Sequence, residues 1–174
     1  MTHFKESKEW ADGFWPDIER ILKEQSPRMV KIKVASLDLD RNHGTDYLVA
    51  MGGSAVACRI RGADYYWKHQ DIALRNSRTS GVTTEVEKLK QGEGADWYLY
   101  GWGDNGRLDA WVLIDIDRMC PLLDDPDKVI SGRGGTTMLT IPLCWLRKAG
   151  AIVSAGGWAN RYSPAPEGHE RQVV

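Results

Sequence analysis

Cysteine is scarce in this chain and poorly spaced for chemistry. Cys58, Cys120 and Cys144 are odd in number and lie far apart, so neither a disulfide framework nor a zinc ligand set is expected, and three reduced core thiols are. No apolar run approaches the length of a membrane span, and the mixed charges at Lys5, Glu6, Lys8 and Glu9 interrupt any signal-peptide core. The expectation is a cytoplasmic protein with no membrane partner. An excess of charge of one sign is also missing. The formal net charge of −1 excludes the global basicity of many nucleic-acid binders, although not a local patch. Nucleophile signatures, a phosphate cradle and internal repeats are absent too. The glycines of Gly101-Trp102-Gly103-Asp104-Asn105-Gly106 read as a hairpin turn rather than a strand-to-helix entry.

What is present suits one folded domain. A chain of 174 residues with 42% apolar and 27% charged residues can bury a single core. Charge is unevenly spread along it. Between Ala55 and Gly81, Arg59, Arg61, Lys68, Arg75 and Arg78 face only Asp64 and Asp71, whereas between Glu85 and Asp125 ten carboxylates face four cations.

Hydrophobic spacing predicts an α+β fold: a mixed, hairpin-rich central sheet with an N-terminal helix and a short helix packed against it. Phe14, Trp15, Ile18, Ile21 and Leu22 recur at helical intervals up to Gln25, before Pro27. Val30, Ile32 and Val34 alternate with Lys31 and Lys33 as a strand. The runs Asp46 to Met51 and Ala55 to Arg61 flank Gly52-Gly53-Ser54 and predict a hairpin. In its second strand Val56, Cys58 and Ile60 share one face while Ala57, Arg59 and Arg61 share the other. Another strand is expected over Asp71 to Arg75. Thr84, three residues before Glu87, has capping-box spacing and starts a helix to Gln91. Strands over Asp96 to Trp102 and Leu108 to Ile116 form a second hairpin, and Thr137 to Ile141 and Pro142 to Lys148 read as a strand and a short helix. The expected domain is 1–153, with a flexible tail over 154–174 that carries Gly156, Gly157, Pro164 and Pro166.

The order helix, strand, hairpin, strand, helix, strand, with a carboxylate in Gly44-Thr45-Asp46-Tyr47-Leu48-Val49, resembles a degenerate PD-(D/E)XK (restriction-endonuclease-like) domain of the phage or mobile-element type. The resemblance covers roughly residues 10–102. It implies a Mg²⁺-dependent nuclease in which Asp46 holds metal and Glu19 is an assisting acid on the opening helix. The family's glutamate-x-lysine is missing: the second hairpin strand offers Ala57-Cys58-Arg59-Ile60-Arg61 instead. Mg²⁺ needs convergent carboxylates, so a substitute acid must come from Glu85 or Glu87, with Lys88 beside them. Catalysis is therefore expected at Asp46, Glu85, Glu87 and Lys88, with metal at Asp46 and Glu85. The plainer reading makes Glu87 a helix cap and sets Glu85 at the positive helix end.

Other acids carry less. Asp38, Asp40 and His43 read as a solvated turn, and Asp115 with Asp117 as a solvent-facing pair at a strand end. A separate composition points to nucleic acid, DNA or RNA. In Tyr65-Tyr66-Trp67-Lys68-His69, continuing to Arg75 and Arg78, rings that can stack on bases alternate with cations that can neutralise phosphates. Arg59, Arg61, Tyr65, Trp67, Lys68, Arg75 and Arg78 are the expected contacts. The competing expectation is a non-catalytic protein that binds and inhibits a host or defence factor. It would use the acidic half and its tryptophans Trp97, Trp102 and Trp111.

Overall fold

A computed structural model describes residues 9–25, 31–34, 47–50, 54–77, 83–92, 95–125, 127–131 and 135–160. The fold is α+β, with the elements α1 (Trp15–Gln25), β1 (Lys31–Val34), β2 (Tyr47–Ala50), β3 (Val56–Gly62), α2 (Ala63–His69), β4 (Asp71–Ser77), α3 (Glu85–Lys90), β5 (Trp97–Asp104), β6 (Arg107–Asp115), α4 (Ile116–Met119), β7 (Lys128–Ser131), β8 (Thr137–Pro142), α5 (Leu143–Lys148) and β9 (Ile152–Gly157). A mixed sheet has the order β3-β5-β6-β9, an antiparallel sheet has the order β4-β8-β7, and β1 pairs with β2.

The four-stranded sheet is covered on both faces, which is why β5 and β6 read as nearly unbroken apolar runs. On one face Phe14 and, from α1, Ile18, Ile21 and Leu22 pack on Val56, Cys58, Leu99, Trp111 and Leu113. On the other, Tyr98, Tyr100, Trp102, Val112 and Ile114 meet Ile72 and Leu74 of β4, Leu139 and Ile141 of β8, and Leu143 and Leu146 of α5. Period-2 alternation along β3 supplies both clusters.

Two expectations change. The turn of the hairpin predicted across Gly52-Gly53-Ser54 lies outside the described residues at Gly52 and Gly53, and the pairings found among the described residues are others: β2 pairs antiparallel with β1, and β3 pairs in parallel with β5, Arg59 opposite Tyr100. A parallel pair needs a long crossover, and the 34 residues from Ala63 to Asp96, containing α2, β4 and α3, provide it. The predicted boundary at residue 153 is also wrong, because β9 runs to Gly157 and a 3-10 turn follows over Trp158–Asn160. The glycines that suggested a loop have a packing reason. A Cβ on Gly156 would lie 2.1 Å from the Trp111 indole nitrogen, and one on Gly157 (φ +60°) would lie 1.9 Å from the Asp109 carbonyl oxygen.

The β5–β6 hairpin forms as expected, closed by Asn105 (φ 52°) and Gly106 (φ 74°) in the two-residue turn that matches strand twist. The capping box forms as well: Thr84 N–H donates to Glu87 Oε2 at 2.7 Å, and Glu87 N–H donates to Thr84 Oγ1 at 3.3 Å. Asp115 is not simply solvent-facing, since it N-caps α4 by accepting from Arg118 N–H at 3.1 Å. Strand β7 had no sequence signal, being four residues without alternation. No helix among the described residues is long and apolar enough to cross a membrane.

Candidate functional site

The expected face of β3 exists, but it points inward. Arg59 and Glu85 form an ion pair with side chains only 16% and 13% exposed. Glu85 Oε1 accepts the Tyr98 hydroxyl at 2.8 Å and Oε2 accepts the Arg75 backbone N–H at 2.9 Å. Beside it the Tyr100 hydroxyl accepts Arg61 Nε and the Ala73 N–H, each at 3.2 Å. Among the described residues, the edge of β4 that faces away from β8 therefore meets side chains of β5 and α3 instead of another strand. Alternate backbone donors of β4, at Ala73 and Arg75, find acceptors there, as buried N–H groups must.

Electrostatics match this arrangement. Burial alone would lower the Arg59 pKa, but the Glu85 carboxylate and the Tyr98 and Tyr100 hydroxyls outweigh it and hold the guanidinium above its ordinary value. Burial, then the Glu85 carboxylate, pushes the Tyr98 phenol well above its ordinary value. Both Glu85 oxygens are thus engaged within the fold. Glu87 is engaged too: bonds from the Thr84 N–H and then its hydroxyl hold its carboxyl below the ordinary value. Lys88 is buried. Glu19 sits on the far side of the sheet from Glu85, with Lys23 Nζ 2.6 Å away. Asp46, Asp38, Asp40, His43 and Arg78 lie outside the described residues. Among those described, no group of three or more His, Cys, Asp and Glu is placed to hold a metal ion, and the carboxylates of Glu85 and Glu87 are committed elsewhere.

The described residues among those expected to contact nucleic acid are split between the exposed α2 helix and the half-buried pair at Glu85. Helix α2 buries Ala63 and Tyr66, and at about 100° per residue Tyr65 and Trp67 flank Tyr66 on opposite sides. Tyr65, 47% exposed, has the Arg61 guanidinium 5.6 Å above its ring and the His69 ring at 5.9 Å. Lys68 pairs with Asp64 at 2.6 Å on the exposed crest. Arg59 is within the buried pair, and Arg75 is half-buried beside it. The expected acidic, tryptophan-rich face is corrected as well. Trp102 and Trp111 are 1% and 8% exposed, and Trp97 packs into the α1 cluster.

Trp67 is the most exposed large apolar side chain among the described residues, at 59%, and its ring leans on Trp158 with centroids 4.6 Å apart. Trp158 is held in place by its surroundings. Its carbonyl accepts the Tyr66 hydroxyl at 2.9 Å, Arg147 donates to the Ala159 carbonyl, and Ala159 is fully buried. From Trp158 a groove of about 640 Å³ opens between α1 and strands β6 and β9, with Arg20, Glu24, Arg107, Asp109 and Trp111 on its walls and Gly156 on its floor. Asp17 fixes the helix wall by accepting the Leu108 N–H at 2.8 Å. Sequence reading missed Trp158 and this groove, because the Gly-Gly-Trp context looked like tail. No family model, curated protein or solved structure matches the chain.

Proposed function

We propose that this domain is a non-catalytic protein-binding module whose contact centre is the Trp67 and Trp158 ring pair at the mouth of the α1–β9 groove. The observation that carries the reading is an exposed Trp67 stacked on a Trp158 whose backbone is already clamped by Tyr66 and Arg147. Tryptophan exposed on a preorganised support has little use in folding, but it provides large, rigid contact area at low entropic cost when a partner covers it. The cations argue in the same direction. Arg59 is committed to Glu85, Lys68 to Asp64, and Arg20 to Asp17 and Glu24, so these three already have carboxylate partners within the fold. A nuclease role gains no support from Glu85, both of whose oxygens are bonded, or from Glu87, whose Oε2 closes the α3 cap.

One observation favours a second reading. Arg61 over the exposed Tyr65 ring, with His69 alongside, is a stacking platform for an unpaired base. The two readings separate in one experiment. Purified full chain is used to capture partners from host lysate, with and without nuclease treatment, alongside Trp67→Ala and Tyr65→Ala. The protein-binding reading expects a captured protein that survives nuclease and is lost in Trp67→Ala. Capture released by nuclease, or unaltered by Trp67→Ala, overturns it. Dependence on Tyr65 instead supports nucleic acid.

A further inference from the structure

The α1–β9 groove has an uneven charge supply. On the helix wall Arg20 is saturated, with Nη2 2.7 Å from Asp17 and Nη1 3.0 Å from Glu24. On the strand wall Arg107 is exposed and Asp109 half-buried, and no ion pair among the described residues engages Arg107. The floor is β9, which has β6 on one side and no paired strand on the other among the described residues. At Gly156 the Trp111 indole, and at Gly157 the Asp109 carbonyl, take the space a side chain would fill, so the groove is lined there by ring and backbone.

We infer that the groove takes an extended peptide segment of the partner, carrying an aspartate or glutamate that meets Arg107 and an apolar side chain that seats on Trp67 and Trp158. This rests on the protein-binding reading above. Charge complementarity selects the occupant. A polyanion laid along the groove would meet Glu24 and Asp109 as well as Arg107, whereas a single carboxylate needs only the exposed guanidinium. Unpaired backbone groups at a sheet edge favour an extended main chain over a helix. The bulge at Val153, skipped between Ser154 opposite Leu113 and Ile152 opposite Ile114, ends the regular edge and limits the segment to the Ser154–Gly157 stretch.

The test is a displayed random-peptide library panned on the full chain, on Arg107→Glu and on Trp67→Ala. Wild type should enrich peptides that share an apolar residue and an aspartate or glutamate at fixed spacing. Such a peptide should bind Arg107→Glu about fivefold more weakly, the size expected for an exposed charge pair, and Arg107→Glu should itself enrich lysine or arginine at that position. Enriched peptides without an acid, or with equal affinity for Arg107→Glu, overturn the inference. If they are still lost in Trp67→Ala, the protein-binding reading stands. No enrichment on wild type overturns both.

Discussion

The two faces of the central sheet are held by different physics. Toward α1 the contact is apolar apart from the Asp17 bond to the Leu108 N–H, with Phe14, Ile18, Ile21 and Leu22 fully buried. Toward β4 an aromatic and aliphatic cluster surrounds the Arg59, Glu85, Tyr98 and Tyr100 polar centre, which terminates the β4 edge. The first face depends on volume and tolerates exchange of similar shapes. The second depends on every partner being present, since removing one strands a buried charge or donor.

Substitutions can sharpen that contrast. The largest loss is expected from Phe14→Ala, about 4 kcal/mol, because an aromatic ring leaves a cavity under a rigid sheet; chemical denaturation measures it, and a loss below about 1 kcal/mol contradicts the packing described. Glu85→Ala should cost about 3 kcal/mol by leaving Arg59 buried and unpaired. The double change Glu85→Leu with Arg59→Met should recover part of that, since no charge is left unpaired although the Tyr98 hydroxyl and the Arg75 N–H lose their acceptor. If the double variant is as unstable as the single, the pair is more than a structural clasp. Thr84→Ala should cost about 1 kcal/mol through loss of the α3 cap, read as a lowered thermal midpoint.

The cap also predicts a pH effect. Glu87 is held below its ordinary value of 4.5 in the fold, so its contribution is complete above that value and is lost as pH falls through the lower folded one. Melting of wild type and Glu87→Gln from about pH 6 to pH 3 should show a gap that closes at the acid end; a constant gap would falsify the assignment. The smallest stability change is expected at Trp67→Ala, within about 0.5 kcal/mol, because an exposed ring contributes little to the core. Partner affinity should nevertheless drop by about tenfold or more if that ring is a contact centre.

Much of the fold was legible in local spacing. The α1 stripe, the Thr84–Glu87 box, the Asn105-Gly106 turn and the split of β3 into an apolar and an arginine-bearing face follow from periodicity and turn chemistry, which act within a few residues. The site was less legible. Arg59 and Arg61 were read as projecting to a ligand because alternation tells which residues share a face, not what covers it. Glu85 was a candidate metal ligand until the fold brought Arg59, Tyr98 and the Arg75 N–H to its oxygens. Trp102 and Trp111 counted toward a surface that the second layer and α1 bury.

The amino-acid order by itself determined the α1 helix, the Thr84–Glu87 cap of α3 and the pairing of the β5–β6 hairpin, because those depend on neighbours a few positions apart. Tertiary structure alone decided that β3 lies parallel to β5, that β9 continues through two glycines under Trp111, and that Trp67 meets Trp158. Those contacts join residues dozens of positions apart, and the chain pattern carries no term for which distant surface will exclude water from a given face.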